Sequence, residues 1–285
     1  MLNQQNKFLL YLFGLILLWT FLVFLGFQNL PKAQLTVTFL DVGQGDAILL
    51  RTPKQQKILV DAGPFTNVLL PLSQELNYFE RRLDLVVLTH PDADHIAGLT
   101  EILRRYEVGA ILMTGVYHET AWYADILAQI QAQKIPVFLA NAQTDFDLGA
   151  GVILDLVWPR EFVSGAKPQD ANRLSIVTRL TFGKTAILLT GDLDQASEKV
   201  LLKTPQNLQA QILKLGHHGS KTSSSAEFLA AVNPEIAIVS AGEDNPFGHP
   251  AKEVLAKLKH AKVLSTAVEG SLRFSSNGET WQRLY

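Results

Sequence analysis

Apolar and polar side chains alternate over residues 35–40 (Leu-Thr-Val-Thr-Phe-Leu), the period of a half-buried strand. Strand-like runs at 47–51 and 57–60 follow at short intervals, with Gly43, Gly45 and Pro53 marking the turns. The apolar run 83–89 suits a central strand buried on both faces. The period then changes: Ile96, Leu99, Ile102 and Leu103 have helical spacing and predict a helix over 96–106. A strand at 110–113, a helix at 120–133 and a strand at 152–158 ended by Pro159 complete the first half.

The second half repeats the theme. Strands at 175–181 and 185–190 meet at Gly183-Lys184, followed by a helix at 194–202, a strand at 211–215 and a helix at 224–232. A strand at 235–240, a helix at 251–259 and strand-like pieces within 270–284 close the chain. Each half opens with strands and ends with helices and strands in alternation. The predicted fold class is therefore α/β, with two mixed sheets packed face to face and helices outside.

The N-terminus breaks this pattern. Residues 8–27 carry no charge, and at about 1.5 Å per residue they reach roughly 30 Å, the thickness of a bilayer's hydrocarbon core. A cleaved signal peptide has a shorter apolar region, about 7–15 residues, and ends in a small-x-small site. Here the run is longer and is followed by Gln28-Asn29-Leu30-Pro31-Lys32-Ala33, so a membrane anchor is expected. Lys7 and the amino terminus precede the run and Lys32 follows it, which predicts a single-pass protein of the cell membrane with an extracytoplasmic globular part. The expected organisation is an anchor segment over 1–30, a linker over 31–34 and one α/β domain over 35–285.

Composition narrows the chemistry. Among 285 residues, 25 Lys and Arg stand against 27 Asp and Glu, which argues against a polyanion binder held by net charge. The absence of cysteine removes disulfides, thiolate metal sites and cysteine nucleophiles. Any metal must be held by His, Asp, Glu, Asn or backbone oxygen.

The strongest chemical signal is Thr89-His90-Pro91-Asp92-Ala93-Asp94-His95, where an apolar strand delivers four ionisable groups just before a helix. Packing them together is electrostatically costly unless a bound divalent cation compensates and keeps the histidines neutral. Thr190-Gly191-Asp192 also follows an apolar strand, and its carboxylate can bridge two cations. Gly216-His217-His218-Gly219-Ser220 again follows a strand; adjacent histidines point in different directions, one suited to ligate or donate a proton and the other to pack or bind a ligand. His249 precedes a helix in Asn245-Pro246-Phe247-Gly248-His249-Pro250. The acids of Asp41-Val42-Gly43-Gln44-Gly45-Asp46, and Asp61 before Ala62-Gly63, are candidates to accept hydrogen bonds from metal-bound histidines. His118 and His260 lack such context and are expected to be ordinary surface residues.

Taken in this order, Asp41 to Ala47, Thr89 to His95, Thr190-Gly191-Asp192, His217-His218-Gly219-Ser220 and Gly248-His249-Pro250 resemble the metallo-β-lactamase-fold hydrolase domain of ComEC-type DNA-uptake proteins. The resemblance runs from residue 35 to the C-terminus. It implies an αββα four-layer sandwich with a metal site at one edge, holding two divalent ions. The superfamily motif is HxHxDH; here Asp92 occupies the second His position, as in the ComEC-type branch. His90 and Asp92 are then expected at one ion, Asp94 and His95 at the other, with Asp192 bridging; His249 fits the late-ligand position, and His217 or His218 either contacts a phosphoryl oxygen or serves as that ligand. Asp94 is expected to orient the attacking water, with His217 and His218 as catalytic candidates and Ser220, Lys221 and Asn172 as substrate contacts. The oxygen-rich donor set favours a hard ion such as manganese, with zinc the alternative. Lys214, Lys221, Arg173 and Lys184 are candidates for a basic rim. The function implied is a membrane-anchored phosphodiesterase or nuclease, with nucleic acid as a possible substrate. Alternatives are hydrolysis of another ester (phosphorylcholine-type or lactone) and a non-catalytic surface module stabilised by metal. No sequence feature identifies a protein partner.

Overall fold

The computed structural model describes residues 4–28, 34–142 and 144–285, and within the first of these segments the side chains at 4, 6 and 11–22. The expected linker at 31–34 falls, except for Gln34, outside the described residues. The chain divides into two compact units, Met1–Ala33 and Gln34–Tyr285.

In the first unit a helix covers Gln4–Gln28, and its described side chains from 11 to 22 are exposed. Among the described residues no helix is long and apolar enough to cross a membrane. The expected anchor over 8–27 is corrected accordingly, and with it the membrane as a partner, the single-pass cell-membrane location and the anchored form of the hydrolase. The side chains at 8–10 and 23–27 lie outside the described set.

The second unit is an αββα sandwich. One sheet has eight strands, in the order Trp281–Leu284, Leu272–Ser276, Leu35–Phe39, Ile48–Arg51, Lys57–Val60, Leu85–Leu88, Ile111–Met113, Val137–Leu139. The other has seven: Lys262–Ser265, Ile236–Val239, Ile212–Lys214, Thr185–Leu189, Val177–Phe182, Val152–Trp158, Asp145–Gly149. Period-two alternation assigns each strand's apolar residues to two different cores. Ile58 and Val60, Leu85 and Val87, Ile187 and Leu189, and Ile238 meet between the sheets. Leu59, Val86 and Leu88 face the other way, against the helices Leu69–Glu75, Leu99–Arg105 and Ala121–Ala132. Leu188, Leu213, Ala237 and Val239 do the same toward Gln195–Leu201, Ala226–Val232 and Lys252–Leu255.

The structure departs from the sequence pattern in several elements. The expected helix over 96–106 begins earlier, at Ala93–Ile96, and resumes as Leu99–Arg105. At the break, Asp94 O accepts from Asp46 N (3.2 Å) and Gly98 N donates to Gly63 O (2.9 Å). The loops at 46 and 63 thus replace one rung of the helical ladder. Only glycine fits at 98, because a Cβ there would stand 2.0 Å from Ala62 O. Leu69–Glu75, Val137–Leu139 and Asp145–Gly149 have no clear period and were not expected; all three side chains of Val137–Leu139 are exposed, so no alternation marks them.

Candidate metal centre

Each sheet contains a run of parallel central strands: Lys57–Val60 and Leu85–Leu88 in one, and Thr185–Leu189, Ile212–Lys214 and Ile236–Val239 in the other. Their C-terminal ends therefore share one edge, and each ends in a residue of the centre or its support: Asp61, Thr89 to His95, Thr190 to Asp192, Gly216 to Gly219 and Ser240. Hydrogen bonds join the loops across the two sheets: Ile176 N donates to Thr89 O (2.9 Å), Asp192 N to Ser175 Oγ (3.1 Å) and Ser240 Oγ to Gly45 O (3.0 Å). Gly45, at φ +128°, allows the Asp46 loop to lie on the helix start, since a Cβ there would meet Asp94 O at 2.1 Å.

Three imidazoles are oriented by what their Nδ1 atoms meet. His218 Nδ1 stands 2.7 Å from the Ser240 carbonyl, which can only accept. His95 Nδ1 stands 2.8 Å from Asp61 Oδ2. Thr89 donates its hydroxyl proton to Asp61 Oδ2 (2.7 Å) and so accepts from His90 Nδ1 at 3.0 Å. All three rings therefore carry hydrogen on Nδ1 and turn a lone pair on Nε2 inward. Those three Nε2 atoms, together with Asp46 Oδ1 and Asp192 Oδ1, are buried without a hydrogen-bond partner among the described residues.

The same atoms converge on the carboxylates. His95 Nε2 is 3.2 Å from Asp192 Oδ1, and His218 Nε2 is 3.2 Å from Asp94 Oδ2 and 3.4 Å from Asp192 Oδ2. His90 Nε2 lies 3.6 Å from Asp92 Oδ2 and 4.0 Å from Asp192 Oδ2. These separations lie within ion-pair range but lack hydrogen-bond geometry. Buried lone pairs aimed at a common centre beside carboxylates suit a cation rather than one another. Asp46, His95, Asp192 and His218 form a buried cluster able to hold one or two divalent ions.

Charge shifts follow from the crowding. Burial opposes a charged Asp192, but His218 and His95 outweigh it and hold the carboxyl well below its ordinary range. Burial likewise disfavours charge on His95 and His218, yet with no cation bound Asp192 foremost raises both well above free imidazole, so a bound cation takes the place of a proton on Nε2. For Asp46, Lys214 with His218 and His95 overcome burial and bring it to about 2. For His217 and His249, burial dominates and lowers both.

The remaining expected residues are placed as follows. His217 lies at the centre's margin, with Nε2 3.8 Å from Asp192 Oδ2 and Nδ1 3.4 Å from Asn172 Nδ2. His217 and His218 both adopt the left-handed region (φ 49° and 54°), which sets their rings 71° apart and sends them to different partners. The His249 ring stands 5.6 Å from that of His217 and 6.4 Å from that of His218, with Phe247 stacked on it. It is not brought into the converging cluster. Nor is Asp41, whose carboxylate accepts from Gly43 N (3.1 Å) within its own turn. Ser220 meets Thr222 Oγ1 at 3.0 Å, and Lys221 is exposed. The basic rim is not formed by the other candidates: Arg173 pairs with Asp194, Lys184 with Glu279, and Lys214 is wholly buried against Asp46 at 2.5 Å. A lone lysine at the end of the buried strand Ile212–Lys214 was the one signal in the sequence for that burial.

Comparison with known proteins identifies the family and the fold. The sequence model of the metallo-beta-lactamase superfamily matches residues 40–243. Competence protein ComA of Neisseria gonorrhoeae is 35% identical over 265 residues, covering 90% of this chain and 35% of ComA. ComE operon protein 3 of Bacillus subtilis (strain 168) is 28% identical over 262 residues, covering 84% and 32%. Recombination protein 2 of Haemophilus influenzae is 31% identical over 278 residues, covering 95% and 32%. The chain thus spans about a third of the length of these curated relatives. Among solved structures, the metallo-beta-lactamase fold protein YhfI from Bacillus subtilis superposes with a TM-score of 0.56 at 12% identity, covering 85% of this chain and 100% of YhfI. CmlA, a diiron beta-hydroxylase from Streptomyces venezuelae, does so at 0.53 and 16%, covering 90% and 55%. At such identities the likeness is one of fold, and a hydroxylase shares it.

Proposed function

The chain belongs to the metallo-β-lactamase superfamily of metal-dependent hydrolases and is related to bacterial competence proteins; from that premise we propose that it hydrolyses phosphodiesters, with DNA as the substrate class, at a two-ion centre. The observation that carries this reading is the inward convergence of the Nε2 atoms of His90, His95 and His218 on Asp94 and Asp192. Asp94, His95, His218 and Asp192 would hold one ion; His90 and Asp92, with Asp192 bridging, would help hold the other. This gives His218, rather than His249, the late-ligand place. The mixed oxygen and imidazole donors suit manganese or zinc. The printed names of the relatives, competence and recombination proteins, support nucleic acid as substrate.

When bound, divalent cations supply Lewis acidity, activation of water and neutralisation of phosphoryl charge. The chain's own groups do the rest. Asp94, one-third exposed, orients the attacking water and accepts its proton. Burial lowers the pKa of His217, and with Asn172 Nδ2 facing Nδ1 the ring would carry its proton on Nε2. That atom faces the centre, where it would donate a hydrogen bond to the departing oxygen, which takes up the proton that Asp94 has accepted from water. Ser220 and Lys221 lie on the same loop and contact the phosphodiester.

The test is hydrolysis by the full chain, loaded with manganese or zinc, of bis-p-nitrophenyl phosphate and of single- and double-stranded DNA, beside Asp94→Ala. Metal-dependent cleavage lost in the variant is expected. Intact DNA with cleavage of the small diester would remove the nuclease reading and keep the phosphodiesterase. No cleavage of either would remove both.

A further inference from the structure

The side chain of Lys214 is wholly buried, an uncommon position for a lysine. Its Nζ stands 2.5 Å from Asp46 Oδ2 and 3.7 Å from Asp192 Oδ1, and it donates to Gly191 O at 3.2 Å. Among the described residues it is the one Lys or Arg within ion-pair distance of Asp46, Asp61, Asp92, Asp94 or Asp192.

Asp46 meets the imidazoles from behind. It approaches Nδ1 of His218 (3.5 Å) and Nδ1 of His95 (3.9 Å), the nitrogens already committed to Ser240 O and Asp61. Asp94 and Asp192 approach the Nε2 side, where the free lone pairs are. Asp46 therefore belongs to the cluster by distance but sits on the wrong side of both rings to share an ion with their lone pairs.

We propose that Lys214 is a resident cation of the centre: it takes Asp46 as its counter-ion and holds that carboxylate behind the two rings, apart from the metal's ligands. Lys214 is thus a positioning residue, and the first ion's protein ligands are Asp94, His95, Asp192 and His218, without Asp46. The proposal rests on the two-ion hydrolase reading. A buried ammonium paired with a buried carboxylate keeps the metal-free centre from carrying one further uncompensated negative charge. Removing Lys214 alone leaves that charge uncompensated behind the ligands, where it attracts the metal through space. Removing both members leaves the ligand set intact.

Manganese and zinc binding to the full-length protein, measured by titration calorimetry, tests this. Lys214→Met should tighten binding by about tenfold, the direction expected when a nearby positive charge is lost. The double variant Lys214→Met with Asp46→Asn should bind within about threefold of wild type, the scatter expected of non-interacting sites. A loss of about tenfold or more in the double variant, the scale seen when a group serving the metal is removed, would make Asp46 a ligand and overturn the proposal. Unchanged or weaker binding by Lys214→Met would also overturn it. The double variant keeps the test open where the single one, left with an unpaired buried carboxylate, fails to fold. If wild type itself binds neither ion, the hydrolase reading falls, and this one with it.

Discussion

Asp61→Asn isolates the support of the centre from its ligands. Asp61 accepts three hydrogen bonds, from Thr89 N (2.8 Å), Thr89 Oγ1 (2.7 Å) and His95 Nδ1 (2.8 Å). Its backbone sits at φ 58°, a region that Asn tolerates as readily as Asp, so the substitution tests charge and acceptor capacity rather than backbone strain. An amide has one accepting oxygen. If that oxygen keeps His95 Nδ1–H, an N–H of the amide faces Thr89 N–H, donor against donor. If it serves Thr89, His95 adopts the other tautomer and its Nε2 lone pair is lost. Losing an outer carboxylate of this kind typically weakens metal affinity about 10–100-fold, or roughly 1.4–2.8 kcal/mol. Without metal, one charge-assisted hydrogen bond lost is about 1.5–3 kcal/mol of stability. Calorimetric titration with manganese and urea unfolding in the presence of chelator read the two effects separately. A folded Asp61→Asn protein with wild-type manganese affinity would refute the argument that Asp61 sets the tautomer of a ligand.

Three further outcomes follow from separate parts of the structure. Gly45→Ala should destabilise the second unit by about 3 kcal/mol or more, because the new methyl meets the Asp94 carbonyl at 2.1 Å; urea unfolding within about 1 kcal/mol of wild type would contradict that close approach. Manganese at about 100 times its Kd should stabilise the protein by about 2.7 kcal/mol, roughly 5–10 °C in Tm, reversed by chelator; a Tm indifferent to metal would count against a folded-state site. Glu80 is held at about 2 by Arg51 foremost (2.6 Å), then Asn77 N and Lys57. Its folded pKa is depressed, so its contribution is full above about pH 4.5 and is lost as pH falls toward about 2. The stability gap between wild type and Glu80→Gln, about 1–2 kcal/mol at pH 6 after screening, should close across that window; a pH-independent gap would refute the assignment.

Strand and helix periods are properties of neighbouring residues, and most of the sandwich could be read from them. The alternation at 35–40 predicts the strand Leu35–Phe39, and the apolar pattern of 83–89 predicts Leu85–Leu88 with residues in two cores. The ordered motifs from Asp41 to His249 were likewise enough to point to the family. Elements without a period, such as Val137–Leu139 and Leu69–Glu75, escaped, and the apolar run at 8–27 pointed to a membrane anchor that the described residues do not support.

The chain alone thus determined which residues can ligate a cation and which strands carry them to a common edge, because burial period and donor chemistry are written locally. Tertiary packing decided the rest: that His218 and not His249 turns Nε2 toward Asp94, that Asp46 meets two rings from behind, and that Lys214 is buried between carboxylates. These relations join loops from two sheets and depend on which ring nitrogen is already occupied. Such a choice is made by hydrogen-bond partners far away in sequence, and it exists only once the strands have packed.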